Sequence, residues 1–394
     1  MSVNTKKIFL LVTALILSLI LLTGCFGTGA VSRGWAGVSI IDDTLIFATM
    51  SGQVYSVDSS TGDPKSEPIK MVRTSSGGLS CIPSCGGQQT TAIATYASPV
   101  VAGDLVYIGG VDGKVYAYQF ADGKLKDQVL WTYPRQETLN GSIVGGMTVA
   151  NGKLYFASAD GIVYALTAAE GYLEWSYDIG KKIWSAPAVE GDTLYIGSFD
   201  KKVYAIDTAT GTKKWEFETE GAISSTPIVE DGLIYVGSYD RHVYALDTNG
   251  KMVWKFPATD EGENNPQNWF WAKPLISENV LYAPCLDGKI YALNASDGSL
   301  VNTFDIGDTL SSSPVLVDNI LVVASSNLAK TTSRVYAIEL SDGSRRELTT
   351  FTTSINAPLY ASNGIVYIHT RGDSFYGLNV QNGALQKFTL TTSK

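Results

Sequence analysis

The chain has 394 residues, 45% hydrophobic and only 17% charged, with a formal net charge of −9. An acidic chain without a basic run is a poor candidate for gripping nucleic acid or anionic lipid through its surface. Two histidines and four cysteines offer little for a zinc centre.

The first element is an export segment. Lys6-Lys7 precedes fifteen mostly apolar residues, Ile8 to Leu22, too few for an ordinary membrane span. The run ends in Leu22-Thr23-Gly24-Cys25, which resembles the lipobox of bacterial lipoproteins. That resemblance implies cleavage before Cys25 and lipid attachment to it. A plain secretory signal or a short anchor helix are the other readings. Residues 1–24 are assigned as signal peptide and 25–34 as the lipidated N-terminus and tether. Loss of Lys6 and Lys7 takes the formal charge to −11. Phe26 follows the anchor cysteine where inner-membrane retention in diderm bacteria typically uses aspartate, so the resemblance implies sorting to the outer membrane.

From Trp35 onward one unit repeats. The tyrosine of Val-Tyr-Ala-Leu/Ile-Asp, or its equivalent, stands at Tyr55, Tyr116, Tyr164, Tyr204, Tyr244, Tyr291, Tyr336 and Tyr376, spaced by 61, 48, 40, 40, 47, 45 and 40 residues. Each unit holds four short β-branched and aromatic runs punctuated by turns such as Asp112-Gly113 and Thr210-Gly211. Helical periodicity is missing. A strand-built repeat near forty residues predicts an all-β, eight-bladed propeller of four-stranded antiparallel blades over residues 35–394. Blades sandwiched between neighbours bury both faces, so the fourth-strand tryptophans Trp131, Trp175, Trp215 and Trp254 read as structural wedges. Phe304 and Phe388 are expected to replace them late in the ring.

Let strands A to D run outward from the channel. The A–B and C–D turns then share one face, and the B–C and D–A connections share the other. Self-comparison finds extra segments near 66–95, 133–143, 257–270 and 326–333, all on the B–C/D–A face, with a smaller C–D expansion at Lys124–Gln128. Insertions gathered on one face of a repeat array mark a binding face. A position opening strand A holds Trp35, Tyr96, Val144, Trp184, Ser224, Trp271, Ser311 and Ile355 in blade order. With Trp269 and Phe270 these predict an aromatic collar at the channel mouth, either a plug or a surface for a peptide, sugar or planar ligand. Cys81 and Cys85, in Cys-Ile-Pro-Ser-Cys of the first insertion, read as a small disulfide loop, with metal binding the weaker view. Cys285 reads as a packed thiol.

The Tyr-Ile-Gly-Ser, Val-Tyr-Ala-Leu-Asp, Thr-Gly and Trp elements resemble the PQQ-like β-propeller repeat. With the lipobox and eight blades, the plan is similar to the BamB family of outer-membrane assembly lipoproteins. That resemblance implies a non-catalytic, monomeric scaffold docking an envelope protein on its B–C/D–A face, without metal or cofactor. It implies the periplasmic face of the outer membrane in a diderm host; in a monoderm the anchor would hold the outer face of the cytoplasmic membrane. Two other readings stand beside it. One is a quinoprotein dehydrogenase using PQQ and Ca²⁺, although no Cys-Cys pair or Cys-x-x-Cys-His is present. The other is an envelope sensory module that uses the collar on a glycan or peptide.

Overall fold

The computed structural model describes residues 36–75, 89–259, 262, 265–327, 331–371 and 373–390. Among them are eight four-stranded antiparallel sheets, each pairing its strands in sequential order. The molecule is an eight-bladed β-propeller. The blade of the fourth unit shows how sequence becomes strand: Ala188–Glu190, Thr193–Gly197, Lys202–Asp207 and Lys213–Glu218. Its register places Leu194 opposite Ile206 and Ala205 opposite Trp215. Between strands B and C, Gly113, Gly161 and Gly288 have φ of 74°, 101° and 89°; Lys201 (76°) and Arg241 (71°) take the same left-handed conformation without being glycine.

Both faces of a blade are core. In the third blade Leu154, Phe156, Tyr164 and Leu166 pack on the second blade, while Tyr155, Val163, Ala165 and Trp175 pack on the fourth. Alternating side chains therefore enter two different apolar layers, so in/out polarity alternation is absent from the sequence. The outer gap is filled by tryptophan against glycine. Trp131, Trp175, Trp215 and Trp254 lie over Gly171, Gly211, Gly250 and Gly298 of the next blade. A Cβ on any of these glycines would stand 2.4–2.6 Å from the ring. Three of the indoles also donate across the gap: Trp175 to Thr208 O (3.0 Å), Trp215 to Thr248 O (2.8 Å) and Trp254 to Ala295 O (2.9 Å). The recurring tyrosines are tied to the B–C turns, with Tyr116, Tyr204, Tyr244 and Tyr291 donating to Asp112, Asp200, Asp240 and Asp287 at 2.5–2.9 Å. Motif tyrosine and turn aspartate are thus framework.

The A strands of neighbouring blades lie side by side around the channel. Hydroxyls tie them together: Ser98 accepts from Gly37 N, Thr226 from Ala186 N, while Ser225 and Ser312 donate to Ala272 O and Ala357 O. Among the described residues the ring closes by packing of the eighth blade on the first, and no strand is exchanged between these two sheets. Phe47 stacks on Phe375 at 4.1 Å, and Tyr367 donates to Ser59 O. Asp373 accepts from the amides of Met50 (2.8 Å) and Ser51 (3.1 Å). Burial raises the Asp373 pKa, but the His369 bond and those amides outweigh it and hold the carboxyl below its usual range.

Three sequence assignments shift in register. Phe304 pairs with Ile290 and sits two residues beyond the tryptophan register, which Asn302 occupies opposite Ala292. Phe388 follows the last strand, Leu385–Lys387, and still acts as a wedge against Gly62. Ile355 is fully buried, and the channel-mouth position of its blade belongs to Asn356. The Lys124–Gln128 expansion is part of one long, twice-bulged strand, Lys124–Tyr133. The first insertion carries an extra hairpin, Val72–Ser75 with Gln89–Ala92, and the 326–333 segment lengthens a B–C hairpin to Asn327 and Thr332. The signal segment, Cys25, Trp35, Cys81 and Cys85 lie outside the described residues.

Candidate functional site

One backbone bond sets the geometry of the channel mouth. The first residue after each B–C serine or cysteine donates its N–H to the connection entering strand A of the same blade: Phe199 to Lys182 O, Tyr239 to Ala222 O and Leu286 to Trp269 O, each at 3.0 Å. B–C turn and strand entrance are therefore clamped together. Aromatic residues at these positions in blades four to six consequently converge. Trp269 stacks on Tyr239 (4.5 Å, 4°), and Tyr239 lies parallel to Trp271 (5.7 Å, 20°). Trp271 meets Trp184 edge-on at 6.0 Å, and Trp184 meets Phe199 at 4.8 Å. Trp269 leaves 44% of its surface exposed. The result is a continuous aromatic patch over one arc of the mouth.

The patch is held from below. Ser198, Ser238 and Cys285 reach back to Lys182 O, Gly221 O and Asn268 O respectively. The Cys285 thiol thus does the work of a serine, and burial pushes its pKa far up, so it is a packed group and a poor nucleophile. Asp240 is buried beneath the Tyr239 turn. Desolvation pushes its pKa up, yet hydrogen bonds from His242, Tyr244 and the amides of His242 and Glu220 prevail and keep it low. An ionised carboxylate therefore braces the turn that presents Tyr239. Burial pushes the Tyr239 phenol to about 12.

Beside the patch the channel opens as a cavity of about 680 Å³. Trp184 and Trp271 line it, with Tyr96, Val144, Ser311 and Asn356 on the remaining arc. These side chains surround the cavity and do not fill it. Ser224 also lines it; its Oγ is buried beside Tyr239 and has no well-formed hydrogen bond. One level deeper stands Lys273, the one charged residue among the described residues that line the cavity. Its side chain keeps solvent contact inside the channel, but the surrounding walls desolvate the ammonium and lower its pKa.

Phe270 does not join this surface. It is 1% exposed and packs between blades against Gly237 and Tyr291. Tyr96 lines the cavity away from the patch. Trp131, Trp175, Trp215 and Trp254 lie at the outer edge, far from this geometry in the blade. Phe199, Tyr239 and Lys273 were absent from the sequence reading. The signal was available for two of them: the residue after the B–C serine, or after Gly110 in its place, is Val111 and Ala159 in blades two and three but Phe199 and Tyr239 in blades four and five. Among the described residues, no group of three or more histidine, cysteine or acidic side chains gathers as a metal site.

The family model described as outer membrane protein assembly factor BamB matches residues 84–159 and 159–388. The chain belongs to the BamB family. Two solved structures share the fold. The computationally designed Ika8 protein superposes with a TM-score of 0.66 at 15% identity, covering 88% of this chain and 96% of that one. BamB from Moraxella catarrhalis gives 0.61 at 18% identity, covering 86% and 92%. At such identities these two likenesses speak for the fold alone. No curated protein matches the sequence. The candidate site of this BamB-family propeller is the aromatic patch on blades four to six and the cavity it borders.

Proposed function

We propose that the chain is a non-catalytic docking platform of the cell envelope, tethered by lipid on Cys25 and receiving a protein partner on its B–C/D–A face. The observation that carries this reading is the patch of Trp269, Tyr239, Trp271, Trp184 and Phe199. Large aromatic side chains that are rigidly clamped and partly exposed are what protein interfaces use as anchors. Family membership supports the envelope setting and the scaffold role, and under it the partner belongs to the assembly of outer-membrane proteins. In a diderm cell the tether would leave the propeller on the periplasmic side of the outer membrane.

The donor chemistry of the channel favours this over the dehydrogenase. Calcium takes six to eight oxygen ligands, carboxylates prominent among them. Among the described residues lining the cavity there is no carboxylate, and the one charge is a cation. These residues do not fit a calcium–quinone pair. The test is chemical crosslinking of the anchored protein in its native envelope, followed by identification of the attached chain. A discrete envelope protein is the expected product. Dye-linked oxidation of alcohols or aldoses after addition of PQQ and Ca²⁺ would overturn the proposal.

A further inference from the structure

Resting on that docking reading, we propose that the channel cavity receives an acidic, extended peptide segment of the partner, with a carboxylate on Lys273 and an apolar side chain against Trp184 and Trp271. Three observations converge. Among its described lining residues the cavity has a single ammonium and no carboxylate, although the chain as a whole is acidic. Lys273 has no ion pair among the described residues and its side chain is exposed to the channel, where a carboxylate can reach it. The aromatic patch forms one arc of the entrance, so a segment reaching Lys273 has an apolar surface to pack against on the way in.

The volume, about 680 Å³, lies inside the ~300–1,000 Å³ range of pockets that enclose a compact ligand. A few residues of chain fit; a folded element does not. The lining also selects against glycans. Sugar hydroxyl pairs are held by side chains that accept in pairs, such as carboxylates and amides. Here the hydroxyls of Ser98 and Thr226 are already engaged between blades, and Asn356 is the lone amide. The net negative charge opposes approach little from a distance, because salt screens exposed charges beyond about 8 Å at physiological ionic strength.

The test uses the full chain in detergent and two fluorescein-labelled peptides, one alternating glutamate with phenylalanine and proline, the other with glutamine in place of glutamate. Fluorescence anisotropy should show the glutamate peptide binding more tightly. Lys273→Met should weaken it about tenfold or more, the order expected for a charge-assisted hydrogen bond. Lys273→Arg should retain binding, and the glutamine peptide should be indifferent to both changes. Unaltered thermal melting of the variants excludes misfolding. Equal affinity for the two peptides, insensitivity to Lys273→Met, or binding of an N-acetylglucosamine–N-acetylmuramic acid oligosaccharide in place of the peptide would overturn the proposal. If the peptide fails while a photo-crosslinker at Trp269 still captures a partner in native envelopes, the docking reading stands and this inference alone falls.

Discussion

Removal of the Trp254 indole tests how neighbouring blades are held together. Trp254 is 7% exposed, and its ring occupies the space that a Cβ on Gly298 would enter at 2.6 Å. Trp254→Ala should cost roughly 3–5 kcal/mol by the truncation rule for large core residues. The lower half of that range is expected, because Ala295 O keeps a second donor in Tyr235 Oη at 3.1 Å and is not orphaned. Gly298→Ala alone carries two penalties, overlap with the ring and a left-handed φ of 73°. The conformational part is about 1–2 kcal/mol. In the double variant the overlap vanishes and the new methyl enters the space left by the indole. The pair should therefore be less destabilised than the sum of the singles, by an amount within the ~0.5–3 kcal/mol range of contacting residues. Urea denaturation followed by far-ultraviolet circular dichroism gives all four stabilities without relying on the deleted fluorophore. Additivity to within about 0.5 kcal/mol would refute the interlocking of wedge and glycine.

Three further outcomes follow from local geometry. Lys201, exposed at φ 76°, should gain up to about 1 kcal/mol as Lys201→Gly, since the left-handed strain is relieved and part of the gain returns as unfolded-chain entropy; an unchanged or lower melting temperature would contradict it. Asp58 accepts from Ser60 Oγ and the amides of Ser60 and Thr61, which lower its pKa to about 2. Its folded pKa lies below the unfolded one, so its stabilisation, on the order of 1–2 kcal/mol, is present above pH ~4 and lost as pH falls through about 2; Asp58→Asn should flatten the acid limb of the stability curve, and an unaltered limb would count against it. Asp373→Ala should open the seam between blades eight and one, so that the amides of Met50 and Ser51 exchange hydrogen faster while blade four keeps its protection; uniform protection would show that the seam does not depend on this carboxylate.

The architecture was legible because it is written eight times. A buried tyrosine, a turn aspartate, a positive-φ glycine and a wedge aromatic recur about every forty residues, insertions apart, and each states a packing requirement. Register was less legible at the end of the ring. Pro358 invited alignment with Pro314, yet Tyr360 pairs with Tyr367 as Ala188 pairs with Tyr195, which moves the mouth position from Ile355 to Asn356. Phe304 and Phe388 both stand two residues beyond the tryptophan register, yet their rings face Gly343 and Gly62, so they replace the wedge from a shifted position. The candidate site was half visible. Trp184, Trp269 and Trp271 stand out by type, but Phe270 between them faces the blade interior, and a run of three aromatics does not say which way each ring points. Phe199 and Tyr239 sit in hairpins where turn residues draw the eye. Lys273 was hidden because its importance comes from the absence of charge around it, which only the closed ring creates. The expected collar is therefore an arc.

The most direct test of the docking claim compares the two faces of the propeller in living cells. A photo-crosslinking phenylalanine analogue is placed at Phe199 or Trp269 on the aromatic face, and at Thr210 or Asn249 on the opposite rim. The account predicts one discrete envelope protein captured from the first pair and little from the second. Equal capture from both rims, or capture confined to Thr210 and Asn249, would contradict it.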